Sequence, residues 1–74
     1  MALVEKLERT EVNARPHKAV RADYNVVIHD GQKYVQINTY GAADRKTEGA
    51  SQIIQLNAES AKQLIDILKS EFGI

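Results

Sequence analysis

The sequence has no cysteine, a single proline and no net charge. Without cysteine, no disulfide can staple the fold and no thiolate can hold zinc, which fits a reducing compartment. Ten basic residues cancel ten acidic ones, so the chain lacks the basic excess that marks a strong non-specific polyanion binder. Long hydrophobic runs are missing too. The start MALVEKLERTE sets Glu5, Lys6, Glu8 and Arg9 among its apolar residues. That pattern excludes a signal-peptide hydrophobic region, and no stretch approaches the length of a membrane span. The expectation is a cytoplasmic protein with no membrane partner. Catalytic signatures are equally scarce. Ser51, Ser60 and Ser70 lie in no nucleophile-elbow context. Gly41 and Gly49 stand too far apart for a phosphate-binding loop. His17 and His29, the only histidines, lack the matched ligands a metal site needs. We therefore expect no enzyme, no cofactor, no metal and no small-molecule substrate.

What is present reads as one small domain of 74 residues. Residues 1–16 have mixed periodicity: Leu3 and Leu7 fit a helical face or strand alternation, while Thr10, Val12 and Asn13 lean away from helix. We expect an N-terminal edge strand or a flexible segment there, with Pro16 in a linker. Residues 17–74 read as a single β-β-β-α domain. Ala19–His29 is a strand in which Tyr24, Val26 and Ile28 alternate with Asp23, Asn25, Val27 and His29. Asp30-Gly31 follows, a dipeptide suited to a type I′ turn because both central residues need positive φ. Gln32–Tyr40 returns, with Val35, Ile37 and Thr39 facing inward. Gly41–Ala50 is a polar loop in which Asp44 supports a turn. Ser51–Leu56 is the next strand. Asn57 is an N-cap with Glu59 near the positive helix end. Ala61, Leu64, Ile65, Leu68 and Phe72 form one apolar helical stripe, and Gly73 ends it.

The expected fold is α+β: an antiparallel β-meander of three to four strands, then one C-terminal amphipathic helix packed on the sheet. Its core is Tyr24, Val26, Ile28, Val35, Ile37, Ile54, Leu56, Leu64, Ile65, Leu68 and Phe72. One helix leaves the other sheet face open, and a chain this short buries a modest fraction of its surface. A homodimer is the expected remedy, with Ile67 and Ile74 off the main stripe available to it.

The outer face of the second hairpin strand carries Tyr34, Gln36, Asn38 and Tyr40. Three readings fit such a row. It is an ordinary solvated strand face, since tyrosine favours strands; or a dimer or protein interface; or a surface for unpaired bases. For the last, aromatic rings stack bases, amides bond base edges, and Lys33, Arg45, Lys46 and Arg21 meet phosphates. From Arg15 to Lys46 there are six basic and three acidic residues, and from Thr47 onward two basic and four acidic. The middle is thus mildly basic and the end mildly acidic.

Taken in order, the hairpin VVIHDGQKYVQINTYG, the loop ADRKTEG, the strand SQIIQL and the helix NAESAKQLIDIL resemble a known family. It is the single-stranded-DNA-binding domain of the eukaryotic transcriptional positive cofactor four, with its small bacterial and phage relatives. The resemblance covers roughly residues 18–72. In that family a strand of alternating isoleucines ends in an aromatic, and an isoleucine–polar–leucine strand leads into an amphipathic helix. YVQINTY, then Ile54–Leu56, then Asn57-Ala58-Glu59 occupy those places. The family's Lys-Gly before the isoleucine–polar–leucine unit is replaced here by Gln52 and Ile53. The resemblance implies a homodimer that grips single-stranded DNA, with Tyr40 as the strand-end aromatic and Arg45 or Lys46 as loop cations; the expected partner is single-stranded DNA or RNA.

Overall fold

The computed structural model describes residues 1–41 and 49–74. Among the described residues, four strands and one helix follow one another: β1 (Ala2–Val4), β2 (Ala22–His29), β3 (Gln32–Thr39), β4 (Gln52–Leu56) and α1 (Ala58–Phe72). The strands form one sheet in the order β1-β4-β3-β2. β2 and β3 are joined by the expected tight turn, with φ of 50° at Asp30 and 75° at Gly31. Both values lie in the left-handed region that Asp tolerates and Gly adopts freely. The turn fixes an unbroken antiparallel register from His29↔Gln32 to Ala22↔Thr39.

The sheet is mixed, not an antiparallel meander. β3 and β4 are antiparallel, but β1 lies parallel to β4 on its outer side. The physical reason lies in residues 5–21, which contain no helix or strand. A connection that long lets the chain start at one edge of the sheet and cross to the other before β2 begins. A tight hairpin between β1 and β2 would instead have forced them to be antiparallel neighbours.

Asn57 begins α1 with a complete capping box. Its Oδ1 accepts from Ser60 N at 2.9 Å, and Ser60 Oγ accepts from Asn57 N at 3.1 Å. Orphan amides of the first turn are thereby satisfied reciprocally. Gly73 closes the helix in the left-handed conformation, its N–H donating to the Lys69 carbonyl at 2.9 Å. One face of α1 is held by the N-terminal segment. Leu7 N donates to Gln63 Oε1 at 2.9 Å, and Gln63 Nε2 donates to Leu7 O at 3.1 Å. Arg9 also lies 3.7 Å from Glu71.

Residues paired directly across strands share a face. One sheet face therefore carries Tyr24, Val26, Ile28, Val35, Ile37, Ile54 and Leu56. This is the expected apolar set, but the helix does not seal it. No hydrophobic residue among those described is fully buried, and Tyr24 and Ile28 remain 73% and 70% exposed. The helical stripe is bare as well, with Phe72 71% exposed. A single residue, Asn57, separates β4 from α1, and the Gln63 side is tied to residue 7. The helix is thus kept beside β4 and away from β2. The open face and the exposed segment 5–21 both add to the molecule's size. The accessible surface is 6708 Å², against about 4,600 Å² for an ordinary folded monomer of this mass. The radius of gyration is 14.3 Å, against about 11 Å for a compact domain of this length.

Candidate nucleic-acid interface

The opposite face carries Leu3, Val27 and Ile53 beside a row of polar side chains, and those polar side chains bond chiefly to one another. β3 supplies Tyr34, Gln36 and Asn38, with Tyr40 one residue past its end. β2 supplies Asp23 and Asn25, and β4 supplies Gln55. The register sets Asp23 opposite Asn38, Asn25 opposite Gln36, and Gln36 opposite Gln55. Gln55 Nε2 donates to Gln36 Oε1 at 2.9 Å, and Gln36 Nε2 donates to Asn38 Oδ1 at 2.8 Å. Asn38 Nδ2 donates to Asp23 Oδ1 at 2.8 Å and to Asn25 Oδ1 at 2.9 Å. The chain of bonds thus crosses three strands. Asn38 is its hub and is 7% exposed, in the middle of a face that sequence patterning reads as open.

The ladder ends at an aromatic. Tyr40 Oη donates to Asp23 Oδ2 at 3.0 Å, and Tyr40 N donates to the Arg21 carbonyl at 3.0 Å. The Arg21 guanidinium lies 3.9 Å from the centroid of the Tyr40 ring and 3.6 Å from Asp23 Oδ2. That geometry is a cation–π contact with an ion pair beside it. The hydrogen bond from Asn38, then the one from Tyr40, holds the Asp23 carboxyl below its usual value, with Arg21 adding a smaller push the same way. The bond to Asp23 raises the Tyr40 phenol above its usual value, because the neutral form is the one that donates.

The expected site residues divide into three groups. Tyr34, Gln36, Asn38, Tyr40 and Arg21 come together on or beside one face. Lys33 does not join them: it stands opposite Ile28, on the apolar face, near the start of α1. Arg45 and Lys46 lie outside the described residues, as do Asp44 and most of the Gly41–Ala50 connection. The amides Gln36 and Asn38 are hydrogen-bonded within the face. They are engaged with each other and with Asp23, which leaves them little freedom to bond a base edge. Asp23, Asn25 and Gln55 belong to this face and were absent from the expected set. Among the described residues, no three His, Asp or Glu side chains converge as a metal site would require, and no helix is long and apolar enough to cross a membrane. Comparisons with family models, curated proteins and solved structures return no match.

Proposed function

We propose that this chain is a homodimeric, cytoplasmic, non-enzymatic protein that binds single-stranded nucleic acid without strong sequence preference. The observation that carries the reading is the Arg21–Tyr40 stack, held at 3.9 Å by a ladder on the face that also bears Tyr34. Tyr34 and Tyr40 lie six residues apart on extended backbone, which is about 20 Å. A fixed ring with a cation beside it offers stacking and phosphate neutralisation together, the pairing used for single strands. The satisfied amides support sequence tolerance, because little base-edge readout is left once Asn38 and Gln36 are engaged. Arg45 and Lys46, in the connection that follows Tyr40, supply further phosphate contacts in this reading. The likeness of residues 18–72 to the positive cofactor four family points the same way.

The homodimer rests on the bare apolar face. A second copy seated on the Tyr24/Val26/Ile28 face and the α1 stripe covers it. The same exposed apolar surface favours one alternative, a protein-interaction module that binds no nucleic acid.

Fluorescence anisotropy with a short labelled single strand, titrated with salt beside a duplex control, separates the two. Single strand is expected to bind more tightly than duplex, with log affinity falling linearly against log salt. Equal or tighter duplex binding, or no single-strand binding at about 50 mM salt, refutes the nucleic-acid reading.

A further inference from the structure

Residues 12–21 are an acid-free stretch, VNARPHKAVR, carrying Arg15, Lys18 and Arg21 together with His17. All of them are exposed and none lies in a helix or strand. The stretch is pinned at both ends. Upstream, Leu7 is clamped to Gln63 by two hydrogen bonds, and Arg9 pairs with Glu11 at 3.0 Å and with Glu71 at 3.7 Å. Downstream, the Arg21 carbonyl accepts from Tyr40 N, and its guanidinium lies on the Tyr40 ring. Pro16 fixes one φ in the middle of the span. Before the stretch, Arg9 is thereby paired with acids of the segment and the helix. Among the described residues, Arg15 and Lys18 are paired with no acid.

We propose that residues 12–21 form a basic strap, with Arg15 and Lys18 contacting phosphates of the same single strand whose bases lie on the Tyr34/Tyr40 face. The inference rests on the nucleic-acid reading and extends it to a second contact surface. Tethering is what makes the strap specific to that site. Its end, Arg21, is hydrogen-bonded to the Tyr40 backbone and lies over the Tyr40 ring, so phosphates flanking a base stacked there pass beside it. A net-neutral chain gains a local positive field there without a basic excess overall, and the field acts through charge alone.

The test compares an Arg15→Ala/Lys18→Ala double variant with a Lys6→Ala/Lys62→Ala double variant of equal net charge, each checked for fold and mass. Binding to a labelled oligothymidylate is measured from about 50 to about 200 mM salt, the range over which phosphate contacts register. If both strap cations contact phosphates, the slope of log affinity against log salt flattens by about 1.4, at about 0.7 per single-strand phosphate. The loss of affinity over that range then becomes about sevenfold smaller than in the parent. The Lys6/Lys62 variant keeps the parental slope. Equal flattening in both variants overturns the strap and leaves a non-specific charge effect. A parental slope in the Arg15/Lys18 variant, alongside a Tyr40→Ala variant that loses binding, overturns the strap and keeps the stacking face. A parent that binds no oligothymidylate overturns both.

Discussion

Asn38 is the residue on which the polar face turns, and replacing it tests whether that face is a structural device. Its amide donates to Asp23 and Asn25 and accepts from Gln36, and the residue is almost fully enclosed. Asn38→Ala removes all three bonds. Two are between neutral groups, at about 0.5–1.5 kcal/mol net each, and the third goes to the exposed Asp23 carboxylate, where water takes its place. The expected loss is therefore about 1–3 kcal/mol, from the two neutral bonds. Asn38→Asp is the sharper perturbation. It sets a second carboxylate in the position that now donates to Asp23 Oδ1 at 2.8 Å. Two carboxylates that close cannot both ionise freely, so one of them takes up a proton well above its normal range. The variant must bind that proton more tightly folded than unfolded. Its stability is then greatest below the unfolded carboxylate range and falls as pH rises through the raised value. The parent behaves in the opposite sense, because Asp23 is held low. Urea unfolding at about pH 4 and about pH 7, at one fixed protein concentration because a dimer's midpoint depends on it, reads both. An Asn38→Ala midpoint equal to the parent's, or an Asn38→Asp midpoint indifferent to pH, refutes the ladder as a source of stability.

Other outcomes follow from the same contacts. The depressed Asp23 carboxyl contributes stability above its unfolded value, near the ordinary 3.8, that is lost as pH falls through the lower folded value; carbon-13 titration of the Asp23 carboxyl checks this, and Tyr40→Phe moves its midpoint upward. The raised Tyr40 phenol contributes stability below the ordinary value of 10.0 that is lost as pH rises through the folded value, and Tyr40→Phe abolishes that alkaline leg. Tyr40→Ala weakens single-strand binding by about 1–3 kcal/mol at any moderate salt, and unchanged affinity in a folded protein removes stacking from the mechanism. Val26→Asp, at a position half exposed in one chain, buries an unpaired charge only when a second copy covers the face. It weakens the dimer by on the order of 3 kcal/mol, about a hundredfold, with sedimentation shifting to a single-chain mass. Gly31→Ala, at φ 75°, costs about 1–2 kcal/mol of stability in urea unfolding.

Local chemistry made most of the elements legible. Asp30-Gly31 marks the hairpin because few dipeptides accept positive φ at both positions, and the structure has it there. Alternation separated Val35 and Ile37 from Gln36 and Asn38 correctly. Asn57 and Gly73 bound the helix as their side-chain chemistry dictates, although Ser60 as the return half of the capping box escaped notice because Glu or Gln usually fills that place. Legibility failed where the outcome depends on long-range pairing. A short apolar triplet, Ala2–Val4, has no local feature that selects β4 over β2 as its neighbour. The helical stripe has a correct apolar face, but periodicity does not say what covers it, and among the described residues nothing does so fully.

The candidate site shows the same division more sharply. Asp23 and Asn25 were readable in principle. A two-residue turn at Asp30-Gly31 fixes the pairing outward from it, and counting back along both strands brings Asp23 opposite Asn38 and Asn25 opposite Gln36 without any structure. That step changes the meaning of the face. Taken strand by strand, Gln36 and Asn38 look like free amides waiting for a ligand; taken as cross-strand pairs, they face polar neighbours of their own in Asn25 and Asp23. Gln55 was not readable in this way, since the connection between β3 and β4 is long and sets no register. The two sheet faces therefore invert the usual expectation for a small domain. The polar face, which water could have satisfied, is internally bonded and holds a tyrosine and an arginine in fixed register. The apolar face, which should be a core, is the one left open. In the proposed reading, the internally bonded face with its stacked cation receives a ligand that stacks, and the open apolar face receives another copy of the chain. Those two proposed roles fall on opposite sides of one sheet, so a dimer formed through one would leave the other free.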